Sequence, residues 1–252
     1  MVETRKSWTE LEISDAIELY LRTPFGRIHS RNPEIINLAV RLGRSPSSIA
    51  LKLTNLASLD DSLDRKGMSN HSKLDKLVWD GYWTSLAVEA AKLPTQIIDQ
   101  DLGLGLSEFP QTPYQADFAG KSKLRIVNAR QGQQIFRSMI LASYASRCAI
   151  TGIGQPEFLV AGHIRSWASD PDNRLNPRNG LCLNRLHDKA FEDGLITVSE
   201  EWRVIYSSKL EPRTRRQMEE IQDTGSLRLP ERFRPDPVFL EEHRDSRFTF
   251  KS

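Results

Sequence analysis

The sequence predicts an α+β chain of two domains, an all-helical N-terminal domain followed by a mixed C-terminal one. Three observations predict it. Apolar residues recur at helical spacing through residues 8–95. Residues 98–122 lose that period and are rich in Gly, Pro and polar side chains, the composition of a linker. Beyond them, short β-like runs flank two of the chain's five histidines. The expected organisation is therefore a helical domain over 1–97, a linker over 98–122 and a second domain over 123–252.

Bulk composition sets the outer limits. A chain of 252 residues with 38% apolar and 27% charged residues builds a packed core, which excludes global disorder. No stretch approaches the roughly 20 apolar residues of a membrane span, and the first residues lack the apolar core of a signal peptide. Two cysteines, Cys148 and Cys182, make no disulfide framework. The expected setting is cytoplasmic, with no membrane partner.

In the N-terminal domain, Leu11, Ala16, Ile17, Leu19, Tyr20 and Leu21 form an apolar stripe, with Ser7 as a cap. Residues 23–33 break that helix. Two further helices flank Gly43. One carries Ile35, Ile36, Leu38, Ala39 and Leu42. The other carries Ile49, Ala50, Leu51, Leu53 and Leu56, with Ser45 as cap and Pro46 at its first position. Two striped helices joined by a short Gly-containing turn read as a helix-turn-helix. Its second helix would offer Arg44, Ser47, Ser48 and Lys52 to DNA. A fourth helix is expected over 73–93.

The C-terminal domain opens with a helix through Ile135, Phe136, Met139, Ile140 and Tyr144. "CAITG" and "EFLVAGHI" read as short strands, "GLCLN" as another, and "RLHDKAFED" as a helix. "LITVS" and "WRVIYS" read as a hairpin, and "PVFLEEHRD" as a short helix in a Pro-punctuated tail. Net charge is only +2 for the chain, but residues 121–185 hold ten basic residues against three acidic ones. A positive field around a histidine pair suits a polyanionic substrate.

Phosphodiester hydrolysis needs a base for water, a cation for the leaving oxygen, and geometry that aligns both with phosphorus. His163, Asn179 and His187 supply an imidazole, an amide and a second imidazole within one short segment. The strings "CAITG", "AGHIRSW", "NPRNGLCLNRLHDKAF" and "DGLITVS" resemble the ββα-metal core of the HNH endonuclease family, in particular its bacterial restriction branch. The resemblance covers residues 128–207 and implies a fold, an activity and roles. His163 would be the general base, Asn179 the central Asn of the loop, and His187 a ligand for Mg²⁺ or Mn²⁺. The partner would be double-stranded DNA, and Arg165 would clamp a phosphate. Two cores for a double-strand break imply a homodimer. The implied function is a metal-dependent DNA endonuclease of restriction type, with base-modified DNA as one candidate target. The alternative is a DNA-binding regulator with a degenerate core.

Two positions depart from the family's pattern. Gly162 stands where many relatives hold an Asp or His, and Phe191 where many hold a second helix His. Glu192 is the first residue expected to complete the metal shell, with Asp170, Asp172 or water as alternatives. Relatives often carry two C-x-x-C pairs. Here Thr151 and Arg185 replace the second Cys of each, so no structural zinc is expected and both thiols are read as small buried hydrophobes.

Overall fold

The computed structural model describes residues 6–63, 70–93 and 121–248, with the backbone alone for 121–131. Most of the expected linker lies outside them. The chain divides into two compact units, Met1–Leu86 and Ala87–Ser252.

The first unit is helical. α1 (Glu10–Arg22) starts two residues later than Ser7 would place it, because Thr9 and Glu12 form a reciprocal capping box. The Thr9 hydroxyl accepts from the Glu12 N–H, and the Glu12 carboxylate accepts from the Thr9 N–H at 3.0 Å. α2 (Pro33–Leu42) is capped by Asn32 and ends at Gly43, whose φ of 60° is left-handed and suits glycine. α3 (Pro46–Leu56) follows after three residues, with Ser45 as its cap. The three helices pack around Ile13, Ile17, Tyr20, Ile35, Ile49 and Leu53, all fully buried. From α4 (Lys73–Lys92), Trp79 meets Tyr20 edge-on at 5.7 Å.

Two charged pairs lie inside this unit. Arg44 meets Glu12 at 2.7 Å, and Lys52 meets Asp75 at 2.6 Å. Both cations also lie over the Trp8 ring. The Arg44 guanidinium holds the Glu12 carboxyl down at about 2, against the cost of burial. Burial pushes Asp75 up, but the Lys52 ammonium and the Ser72 bonds outweigh it and keep the carboxyl below its ordinary value.

The second unit is built on a hairpin. β1 (Leu159–His163) and β2 (Gly180–Asn184) pair antiparallel, in a register that sets Gly162 opposite Leu181 and His163 opposite Gly180. α5 (Lys121–Ser143) precedes the hairpin and α6 (Arg185–Glu192) follows it directly. Neighbouring register positions face opposite sides of a sheet. A Cβ at Gly180 would run into Ile140 and lie 2.7 Å from the Phe136 ring, both on α5. One at Gly162 would run into Asp188 on α6. The two helices thus cover opposite faces of one hairpin, and a glycine marks each close approach.

"CAITG" is a tight turn and not a strand. Gly152 N–H bonds back to the Cys148 carbonyl at 2.9 Å, and Gly152 has a left-handed φ of 69°. One backbone–backbone bond ties this turn to β2, from Ala149 N–H to the Cys182 carbonyl, and Asn184 adds two more, from its N–H to Cys148 Sγ and from its side-chain amide to Thr151 Oγ1. β3 (Ile196–Val198) and β4 (Val204–Tyr206) form the expected second hairpin. α7 (Pro212–Glu220), which the sequence reading left unassigned, precedes α8 (Pro237–Ser246), which packs on β3. None of the described helices is long and apolar enough to cross a membrane.

Replacing Gly180 by Ala should cost about 1–3 kcal/mol, since a ring and a branched side chain must give way in a packed layer. Urea denaturation measures it; an unchanged midpoint would show that α5 does not seat on this glycine.

Candidate functional site

β1 ends at His163, and a 16-residue loop carries the chain from Ile164 to Asn179 at the start of β2. Such a loop has many backbone polar groups to satisfy without a sheet. Asn179 satisfies three of them. Its fully buried amide accepts from the Arg165 N–H at 2.8 Å and donates to the carbonyls of Arg165 and Asn173, at 3.2 and 3.1 Å. Asn179 therefore ties both ends of the loop together and touches His163 only through the backbone it fixes.

His163 is half-buried, its ring stacked on Phe136 at 4.0 Å and edge-on to Trp167 at 5.5 Å. Nε2 lies 2.9 Å from the Arg174 carbonyl. A carbonyl only accepts, so Nε2 carries the proton and Nδ1 presents a bare lone pair. Burial pushes the imidazole down to about 4, against the opposing pull of that carbonyl. His163 is therefore neutral at pH 7, the form a general base requires. The Arg174 guanidinium braces the same loop from inside, donating to the carbonyls of Trp167, Ala90 and Leu93.

His187 sits in the first turn of α6 and is fully buried. Asn184, the helix cap, accepts from both the His187 N–H and its Nδ1–H, each at 3.0 Å. That bond puts the proton on Nδ1. Nε2 is left as a buried lone pair with no hydrogen-bond partner. Burial also holds this imidazole down at about 4, so it stays neutral. A buried nitrogen without a donor is costly, and a ligating histidine has just this form, with its other N–H fixed by an oxygen.

The remaining expected site residues lie elsewhere. Glu192 is exposed and bonded to Lys189 at 3.2 Å. Asp172 is exposed, and Asp170 bonds Arg165 and Asn173. Arg165 lies over the Phe239 ring with its guanidinium forked onto Glu242, beside a cleft of about 340 Å³. Arg44 and Lys52 are interior residues of the first unit, while Ser47 is exposed and Ser48 half-buried. Phe191 is a core residue. Its ring stacks on His243 of α8 at 3.8 Å, and its carbonyl accepts from His243 Nε2–H at 2.9 Å. Cys148 and Cys182 are free and fully buried.

Three residues that shape the site were missed by sequence reasoning. Phe136 was read as helix stripe alone. Asn184 carried a legible signal, an Asn at the capping position three residues before a histidine. Asp188 carried none. It is half-buried, and burial together with the Glu192 charge pushes its carboxyl up to about 6.

Residues 148–199 match the family model for HNH endonuclease. The match runs from the Cys148 turn through both histidines and α6 to the end of β3. The chain thus carries an HNH endonuclease domain, and such nucleases generally use a divalent metal. A search of curated proteins returns no match to the chain. Among the described residues, no three His, Cys, Asp or Glu side chains come together around one point. The orphaned Nε2 of His187 nevertheless fits a cation ligand, and Mg²⁺ or Mn²⁺ tolerates a shell completed by water.

Stability should fall in acid. His163, His187 and His243 are all held down to about 4 by burial, against an ordinary value of 6.5. Between those values the unfolded chain binds protons that the folded chain refuses, so stability drops as pH falls from 6.5 towards 4. Asp188 opposes them, because its raised carboxyl takes up a proton on folding in part of that range. Urea midpoints at pH 4.5, 5.5, 6.5 and 7.5 should decline towards acid, with a shallower decline for His243→Gln. A flat profile would contradict buried neutral imidazoles.

Proposed function

We propose that the protein is a metal-dependent DNA endonuclease of restriction type. The observation that supports this most is the pair of complementary imidazoles on one hairpin–helix unit. His163 presents Nδ1 with its proton held on Nε2, while His187 presents Nε2 with its proton held on Nδ1. One is disposed to take a proton and the other to ligate a cation.

In this reading, His163 Nδ1 accepts a proton from a water molecule as the water oxygen attacks phosphorus. The Arg174 carbonyl keeps the ring in the required tautomer and stabilises the imidazolium that forms. Asn179 positions the loop carrying that carbonyl. His187 Nε2 would hold a divalent cation, which when bound would supply positive charge for the leaving oxygen. Mg²⁺ and Mn²⁺ are the ions of choice, because water can fill most of their shell. Arg165 reaches a phosphate only by exchanging Glu242 or Asp170 for it, so its clamp belongs to the DNA-bound state.

The first unit reads DNA through its α2–α3 helix-turn-helix, with Ser47 and Ser48 at the exposed start of α3. Arg44 and Lys52 support that turn from beneath. Cleavage of both strands uses a homodimer, and the target is unmodified or base-modified double-stranded DNA.

Nicking of supercoiled plasmid, unmodified and cytosine-modified, should require Mg²⁺ or Mn²⁺ and stop with EDTA. Replacing His163 by Ala should lower cleavage about 10²–10⁴-fold and leave DNA retention in a gel-shift assay intact. Undiminished cutting by that variant would remove the mechanism. DNA binding by the wild type without cutting of any substrate would instead favour a regulator with an inactive core.

A further inference from the structure

The proposed cation site, with His187 alone, is short of protein charge. The acids nearby are engaged or turned to solvent: Glu192 and Asp193 pair with Lys189, Glu242 with Arg165, and Asp170 with Arg165 and Asn173. Asp188 differs. It follows His187 in the first turn of α6, it is half-buried, and no hydrogen bond or ion pair holds its carboxylate among the described residues. A half-buried carboxylate without a partner is unfavourable unless something absent neutralises it. The residue before it carries a buried imidazole nitrogen in the same condition.

Gly162 explains where that carboxylate goes. It faces α6 one residue before His163, and a Cβ there would lie 3.4 Å from Asp188 Cγ and overlap Oδ1. The carboxylate therefore occupies the volume that a side chain at 162 would fill. An acid on the helix stands where the strand has no side chain to offer.

We propose that Asp188 is the second protein ligand of the divalent cation held by His187, and that Gly162 is needed to admit its carboxylate. This rests on the nuclease reading above. Residues 187 and 188 give the cation one nitrogen and one anionic oxygen from a single helical turn, and water completes the shell. The ligand set then depends on a void in β1 and not on an acid within it.

The test is Mn²⁺ binding to the full chain, followed by calorimetry and by loss of the free-ion paramagnetic resonance signal, with no DNA present. The wild type should bind Mn²⁺, and His187→Gln should lose it. Asp188→Asn should weaken binding about tenfold or more while the metal-free protein melts no lower than the wild type, since an unpaired carboxylate is removed. Gly162→Ala should weaken binding too, by displacing the flexible carboxylate without unfolding the hairpin. The double variant Gly162→Asp with Asp188→Ala should recover affinity. If Asp188→Asn binds Mn²⁺ as tightly as the wild type while His187→Gln does not bind, the Asp188 assignment falls and the nuclease reading stands. If the wild type binds no Mn²⁺, both fall.

Discussion

The site depends on one buried amide. Asn179 closes a 16-residue loop between two five-residue strands through three hydrogen bonds to the loop's backbone. Remove its three bonds and the Arg165 and Asn173 backbone groups lose their partners. The Arg174 carbonyl, adjacent to Asn173, then loses its fixed position, and with it goes the tautomer of His163. The amide acts at one remove from the chemistry, by deciding where a carbonyl stands.

The two helices on the hairpin divide the work by face. α5 supplies an apolar wall, with the His163 ring stacked on Phe136 and Ile140 packed close to Gly180. α6 supplies polar groups, with Asn184 directing the His187 proton. Desolvation sets both imidazoles to the neutral form, while two different oxygens select opposite tautomers. The same residue type thereby takes two opposite tautomers within one small motif.

Much of this was legible in the sequence because it is local. The Ser45 helix cap, the Gly43 turn, the β3–β4 hairpin and α6 follow from short-range pattern, and the order His163, Asn179, His187 marked the candidate site. What stayed hidden depends on contacts between distant segments. Arg44 and Lys52 looked like surface cations, but partners 32 and 23 residues away draw them inside. "CAITG" has strand composition, yet its own turn bonds and a single backbone–backbone tie to β2 leave no ladder to join. Phe191 looked like a lost ligand until His243 appeared against its ring. Asp188 carries no local signal because its carboxylate lies where Gly162, a residue without a side chain, leaves room.

The stacking of His243 on Phe191 also has a temporal side. The two residues are 52 positions apart, and the histidine belongs to the last described helix. Ribosomes add about 5–20 residues per second, so a nascent chain holds the hairpin and α6 for seconds before α8 exists. During that interval the inner face of α6 lacks its aromatic cover, and the Phe191 carbonyl holds the Gly194 N–H but lacks the His243 donor. The hairpin–helix motif is made early and sealed late.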